Sequence, residues 1–400
     1  MATLRPHSGS LRVRRERPVS AFFNPTPEER RALEELISDI PGIQQALVDN
    51  HDQLTMPDRG AHQQQLAGGK VLLTLERELP KALDGLGVFQ HDGTVGPHHV
   101  GIGRISTGLG CPHAETDPDF LGLMVAFRAK SGRRIDFITI NDPTSPTDTP
   151  EEFIALLKAT ADAAGTTGLL ANQTRLLLSL ARHAGLRAPA IGAHVSAQTL
   201  RTVRSSSAYQ QYWTGIVRAR DALGKFTFVP TDPPAGGHDA ARGPRHLTDD
   251  WRARLSAGPL AFRLHWIPFL SERDTPLTDL TTPWRDDHKV LVGTVAFPKT
   301  DPETRDSKLI SLLASELGAN PGNWEETSDG TESDLPATRF TAARFLAYRA
   351  SQQNRHALPD DSYRSFFERG EISQDLAAGL VRRYNEKRTA RHWVPPVGEL

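Results

Sequence analysis

A tyrosine flanked by two arginines stands in the segment RFLAYRASQQNR, which spans residues 344–355. Arg344 comes four residues before Tyr348, and Arg355 comes seven residues after it. A helix turns by about 100° per residue, so these spacings place all three side chains on nearly the same face. Such a stripe is usually a solvated helix face, yet guanidinium groups beside a phenol can also stabilise a phenolate anion.

Three further polar clusters precede this segment: RGAH at 59–62, GRIST at 103–107 and DFITIND at 136–142. With the tyrosine segment, their order resembles that of the haem catalase family. That family has a distal Arg-x-x-His, a strand with Arg-aromatic-Ser-Thr, a distal Asn and a proximal Arg-x3-Tyr-x6-Arg. Each motif alone is weak, but the ordered set over roughly residues 55–356 is specific. The chain also resembles the shorter catalase-related proteins of bacteria in its intervening strands and its EEFIALLKA helix.

The resemblance implies a haem b cofactor whose iron is bound by Tyr348, because tyrosine is the haem ligand associated with catalase. A free phenol has a pKa near ~10, so the phenolate needs the metal and the neighbouring charge of Arg344. The resemblance further implies that Arg59, Arg104 and Arg355 pair with the two haem propionates through charge-assisted hydrogen bonds.

On the distal face of the haem, the resemblance assigns general acid–base catalysis on peroxide to His62. It implies that the Ser106 hydroxyl orients the imidazole ring and that Asn141 hydrogen-bonds the peroxide. The chain is therefore expected to be a haem-dependent, peroxide-using oxidoreductase of the catalase or peroxidase type.

Several positions depart from the family pattern. Gly60 and Ala61 stand where catalases usually have two bulky aliphatic residues, and Ile105 replaces an aromatic residue. Leu121 replaces an arginine, and the surroundings of Asn141 are shortened. A wider pocket with apolar walls favours an organic molecule and loses the tight positioning of a second hydrogen peroxide. We therefore expect a small organic substrate in addition to peroxide.

Two alternatives stay open. One is another reaction on the same scaffold, either rearrangement of a fatty-acid hydroperoxide or oxidation of an organic metabolite. The other is a non-catalytic haem-binding protein, which the intact Tyr348, His62 and Arg344 argue against.

Composition narrows the class of protein. The chain has 400 residues, a formal charge of −1 and 38% hydrophobic residues, which allows a large core and gives no electrostatic reason to expect nucleic acid or a membrane as partner. Cys111 is the single cysteine, so an intrachain disulfide and a cysteine metal cluster are excluded. No signal-peptide pattern or membrane-span length occurs. We expect a cytoplasmic protein that forms a homo-oligomer, either a dimer or a tetramer.

The elements that must position these residues follow from periodicity. Short strand-like runs occur at KVLLTLER, HHVGIGRIS, LGLMVAFRA and RIDFITI, and again at GKFTFVPT, PLAFRLHWIPFL and KVLVGTVAFP. Helices are predicted for TPEERRALEELI, TPEEFIALLKA, TGLLANQTRLLLSLARHAG, PETRDSKLISLLASELG and the tyrosine segment. Two sets of strands divided by helices predict an α+β fold with a mainly antiparallel barrel wrapped by helices. The resemblance implies that this is the catalase-type antiparallel β-barrel.

The predicted domain organisation is a flexible N-terminal arm at residues 1–25 followed by one catalase-like haem-binding domain at 26–400. The segments 231–245 and 325–336 are interpreted as exposed loops because they are polar and contain Gly or Pro. His113 is interpreted as a surface loop residue.

Overall fold

The structure, a computed structural model, describes residues 25–50, 56–91, 93, 96–166, 169–200, 206–231, 243–324 and 337–389. The predicted arm and the two predicted loops fall almost entirely outside these ranges. The boundary between arm and domain therefore stays a prediction.

Nine strands of the described chain form one antiparallel sheet. They are β1 (Gln65–Leu75), β2 (His99–Thr107), β3 (Leu121–Arg128), β4 (Arg134–Ile140), β5 (Tyr212–Thr214), β6 (Val217–Ala219), β7 (Ala222–Pro230), β8 (Leu260–Pro268) and β9 (Val290–Phe297). Their order is β5-β4-β3-β2-β1-β9-β8-β7-β6, and β5 also pairs with β7. Eight strands thus close into a barrel, with β6 attached to β7 as a hairpin, which confirms the predicted architecture.

The barrel interior is filled by aromatic and aliphatic side chains. Members of this core include Val71, Leu73, Phe89, Phe127, Phe137, Phe226, Phe228 and Phe297. Strand β2 contributes small residues to it, since a Cβ at Gly103 would lie 2.3 Å from the Phe297 ring. Because side chains alternate along a strand, the residues next to Gly103 in β2 point out of the barrel, towards the helices.

Ten helices accompany the barrel in the described ranges. They are α1 (Pro27–Ile37), α2 (Ile40–Asn50), α3 (Pro150–Ala163), α4 (Leu169–Ala184), α5 (Ala188–Leu200), α6 (His246–Ala257), α7 (Arg305–Glu316), α8 (Arg339–Asn354), α9 (Arg364–Arg369) and α10 (Gln374–Thr389). Thr26 begins α1 with a capping box closed by Glu29, and Thr338 caps α8 by accepting from the Thr341 N–H. Helices α5, α6, α9 and α10 were not foreseen from the sequence.

Two helical layers cover the outside of the barrel. Helices α7 and α9 pack on the outward side chains of β2 and β3, such as Ile102 and Met124, and α10 packs on α7 in the same cluster. Helices α1, α2, α3 and α8 form a second cluster, in which α8 contributes Ala342, Ala343 and Ala347. These small side chains let the neighbouring helices approach α8 closely, which places its opposite face towards the barrel wall. No helix of the described ranges has the length and apolar character needed to cross a membrane.

Candidate functional site

A cavity of about 590 Å³ lies between the outer barrel wall and the helices, a volume within the ~300–1,000 Å³ range of ligand pockets. Seven of the eight candidate residues line it: Arg59, His62, Arg104, Ser106, Arg344, Tyr348 and Arg355. The structure thus brings together side chains from the loop before β1, from β2 and from α8.

The position of the His62 ring is set by its backbone and by two neighbours. His62 has a left-handed backbone (φ +54°), and its N–H donates to the Gly108 carbonyl at 2.8 Å. Its carbonyl accepts from Arg104 Nη2 at 2.7 Å. Nδ1 of the ring lies 3.3 Å from Ser106 Oγ. A Cβ at Gly122 would lie 2.7 Å from the ring, so only glycine leaves room for the imidazole there.

The electrostatic environment keeps His62 neutral. The pKa of His62 is lowered to about 4, chiefly by burial; the positive charges of Arg104 and Arg344 act in the same direction, and Asp119 opposes them. A group with this pKa is an unprotonated base near neutral pH. His62 is therefore able to accept a proton inside the cavity.

Three arginines gather at one end of the cavity and are held by backbone carbonyls. Arg59 Nη2 donates to the carbonyls of Ser315 at 2.5 Å and Leu317 at 3.3 Å. Arg355 Nη2 donates to the same Leu317 carbonyl at 3.0 Å. Arg104 donates through Nη2 to two backbone carbonyls and through Nε to a glutamine side chain. Neutral acceptors thus fix the guanidinium groups without cancelling their charge.

The charges of these arginines are only partly balanced. Burial and the nearby Arg59 lower the pKa of Arg355 to about 10, and burial lowers the pKa of Arg104 well below its ordinary value. Asp58, 3.7 Å from Arg59, is a carboxylate that offsets part of this charge. Arg59 Nη1 is buried and has no hydrogen-bond partner among the described residues. A group of buried guanidiniums whose charge is only partly compensated is suited to binding anionic ligand groups.

The tyrosine segment forms α8, as the spacing predicts. The guanidinium carbon of Arg344 lies 5.8 Å from the centre of the Tyr348 ring. The backbone of Gly215 passes close to this arginine, since a Cβ there would lie 2.7 Å from Arg344 Nη1. Tyr348 makes no hydrogen bond to any described residue while it lines the cavity. Its hydroxyl is thereby available to a ligand in the cavity.

Asn141 is placed differently from the other candidates. It follows β4 and exchanges hydrogen bonds with Leu121: its N–H donates to the Leu121 carbonyl, and its Oδ1 accepts from the Leu121 N–H at 2.8 Å. It is not among the residues that line the cavity. Its Nδ2 is buried without a hydrogen-bond partner in the described chain. The contact of Asn141 with peroxide stays a prediction.

The expectation that Ile105 widens the pocket is wrong. Ile105 is fully buried in the barrel core, because strand alternation turns it away from Arg104 and Ser106. Leu121 also packs in that core. Gly60, by contrast, lines the cavity, and no atom lies within 4 Å of the position its Cβ would take.

Two polar features of the cavity were missed from the sequence. His113, interpreted as a surface residue, lines the cavity with its Nε2 3.3 Å from the Asp119 carboxylate. Burial lowers the pKa of His113, but the contact with Asp119 outweighs it and raises the pKa above its ordinary value.

The other feature is Lys225, a 4% exposed lysine of β7 on the cavity wall. The sequence signal that could have indicated this buried lysine is its position in the strand-like run GKFTFVPT.

No protein-family model matches the chain, and no curated protein sequence matches it. Solved structures do match. One is a fungal catalase, with a TM-score of 0.57 and 15% sequence identity over 75% of this chain and 59% of the solved chain. Another is catalase A from Saccharomyces cerevisiae, with a TM-score of 0.56 and 12% identity over 75% of this chain and 61% of the solved chain. The chain spans about three fifths of the length of these catalases and has the catalase-type fold.

Proposed function

We propose that the protein is a haem-dependent oxidoreductase that uses peroxide and acts on a small organic substrate. The observation that carries this proposal is the joint position of Tyr348, His62 and a cluster of buried arginines around one cavity. The similarity of the fold to solved catalases supports it independently of the residues.

The residues of the cavity fit the chemistry of haem b. Tyr348 offers an oxygen ligand for iron, and Arg344 beside it would stabilise the phenolate. Arg59, whose buried Nη1 makes no hydrogen bond to a described residue, would hold the propionates together with Arg104 and Arg355. Bound haem would supply the oxidising chemistry that these side chains do not have.

His62 would carry the proton transfers. If its Nδ1 proton points to Ser106 Oγ, 3.3 Å away, Nε2 holds the lone pair and can take the proton of a peroxide. The same nitrogen would then return the proton to the departing oxygen. Ser106 would act by keeping the ring in this orientation.

The open space at Gly60 and the small side chain of Ala61 favour an organic substrate over hydrogen peroxide alone. This observation also supports the alternative reactions on the same scaffold, namely hydroperoxide rearrangement and metabolite oxidation. A homo-oligomeric state and a cytoplasmic location remain predictions.

The experiment is an absorption spectrum of the purified protein, followed by addition of peroxide with oxygen evolution recorded. Tyr348→Phe is expected to abolish or greatly weaken haem retention. Tyr209→Phe is a matched control, because the Arg254 guanidinium carbon lies 4.4 Å over the Tyr209 ring, away from the cavity. Full haem content and an unchanged spectrum in Tyr348→Phe would refute the proximal assignment.

A further inference from the structure

Lys225 occupies an unusual position for a charged side chain. Its neighbour Phe226 points into the barrel, so Lys225 points outwards, onto the cavity wall. Only 4% of the residue is exposed. A buried ammonium is costly unless an anion or several hydrogen bonds compensate it.

The described residues compensate this ammonium poorly. Nζ donates to the Pro143 carbonyl at 3.4 Å and lies 4.8 Å from the centre of the Trp284 ring. No carboxylate of a described residue lies within 4.0 Å of it. Asp142 is close enough to act on it electrostatically, but its Oδ1 is engaged by the N–H and hydroxyl of Thr144. An ammonium has three donors, so Lys225 retains capacity for an anionic ligand.

Away from the arginine cluster at one end, part of the cavity wall suits an apolar chain. Aliphatic side chains from several elements line it: Leu156, Leu157, Leu176, Val195, Ile216 and Leu280. Burial lowers the pKa of Lys225 to about 8, with Asp142 acting in the opposite direction, so the amine is still largely protonated at neutral pH. One cation on an apolar wall matches a single negative charge on an apolar molecule.

We propose that Lys225 binds the carboxylate of an organic acid whose apolar chain lies in the cavity. The inference rests on the proposed organic substrate of this site and names its chemical class. A carboxylate is favoured over a phosphate because one ammonium group balances a monoanion.

Binding of decanoate and of methyl decanoate to the purified 400-residue protein is measured by titration calorimetry, with and without added haem. A charged hydrogen bond contributes ~1.5–3 kcal/mol, so decanoate should bind at least about tenfold more tightly than the ester. Lys225→Met should remove this difference by weakening decanoate alone. Lys289→Met is the control, because Lys289 is a partly exposed lysine paired with Asp286 at 2.6 Å.

Thermal unfolding separates binding from a structural role. Replacing a poorly compensated buried charge by an apolar side chain of similar length should keep or raise the Tm. A clear fall in the Tm of Lys225→Met would assign the lysine to a stabilising contact with Asp142 and overturn the proposal. Equal affinities for acid and ester, or a preference that survives in Lys225→Met, would overturn it as well. Tighter binding of decyl phosphate than of decanoate would refute the assignment to carboxylates.

The outcome is distinguishable from that of the haem proposal. Tyr348→Phe should lose haem and keep the preference for decanoate over its ester. If the wild-type protein takes up no haem but its preference depends on Lys225, the acid site stands and the oxidoreductase proposal fails. If haem binds through Tyr348 but acid and ester bind equally, the proposed haem site stands and the acid site fails.

Discussion

Ser106 Oγ lies 3.3 Å from Nδ1 of His62, although the two residues are far apart in sequence and belong to different elements. Ser106 is on β2, whereas His62 precedes β1. The contact joins the outer wall of the barrel to the loop that carries the proposed base.

Removing these side chains should separate catalysis from cofactor binding. His62→Ala should retain haem and slow the reaction with peroxide by ~10²–10⁴-fold, the usual range for a general acid–base group. Ser106→Ala should slow it less, because the ring stays in place but loses its orientation. Stopped-flow spectra of the haem-loaded variants measure both rates. An unaltered rate in His62→Ala would move the acid–base role to another residue.

The pH dependence of the peroxide reaction should reflect the lowered pKa of His62, which is about 4. Because the neutral form is the base, the rate should stay constant from pH 7 to about 5 and fall below it. A fall in rate centred near pH 6.5, the pKa of an ordinary histidine, would contradict the lowered pKa of His62.

The same shift affects stability. Between about pH 6.5 and 4 the unfolded chain binds a proton at His62 that the folded chain does not, so stability falls on acidification through this window. His62→Gln should make the Tm less sensitive to pH there, as measured by thermal unfolding at several pH values.

Arg344→Leu should weaken the preference for a phenolate at Tyr348. The guanidinium lies beside the ring, so its loss should leave part of the haem bound and make the ferric state easier to reduce. Redox titration followed by absorption measures this change. Arg254→Leu, at the corresponding pair with Tyr209, is the matched control and should leave the potential unchanged.

Restoring bulk near His62 should shift the protein towards hydrogen peroxide. Ala61→Val, alone or with Gly60→Val, fills space on the cavity wall, and at Gly60 the added Cβ meets no atom within 4 Å. The ratio of oxygen evolution to turnover of a bulky peroxide should rise. Ile105→Phe is the contrasting variant: overpacking the barrel core should cost ~1–3 kcal/mol of stability without changing that ratio.

Gly122→Ala should disturb the proposed base directly. The new Cβ would lie 2.7 Å from the His62 ring, so the imidazole must move away from Ser106. The expected result is a slower peroxide reaction with normal haem content, whereas Gly379→Ala, where no atom lies within 4 Å, should have no effect. A normal rate in Gly122→Ala would show that the ring position is not important.

Local patterns in the sequence were sufficient for much of the fold and the candidate site. Strand-like runs and turn residues predict seven of the nine described strands, whereas the three-residue strands β5 and β6 were missed. Helical periodicity predicts that Arg344 and Tyr348 share a face of α8. The family resemblance carried by four ordered polar motifs selected eight residues, of which the structure brings all but Asn141 to one cavity.

The tertiary structure decided what local patterns leave undetermined. Ile105 and Arg104 are neighbours in sequence, but barrel closure makes one side of β2 a core and the other a cavity wall. The contact of His113 with Asp119 and the buried position of Lys225 depend on segments that meet only after folding. Helix α5 lacks a clear sequence signal, since Pro189 and Gly192 interrupt its pattern. Tertiary packing overrides such weak local preferences, because burying an apolar face stabilises a helix more than its intrinsic propensity does.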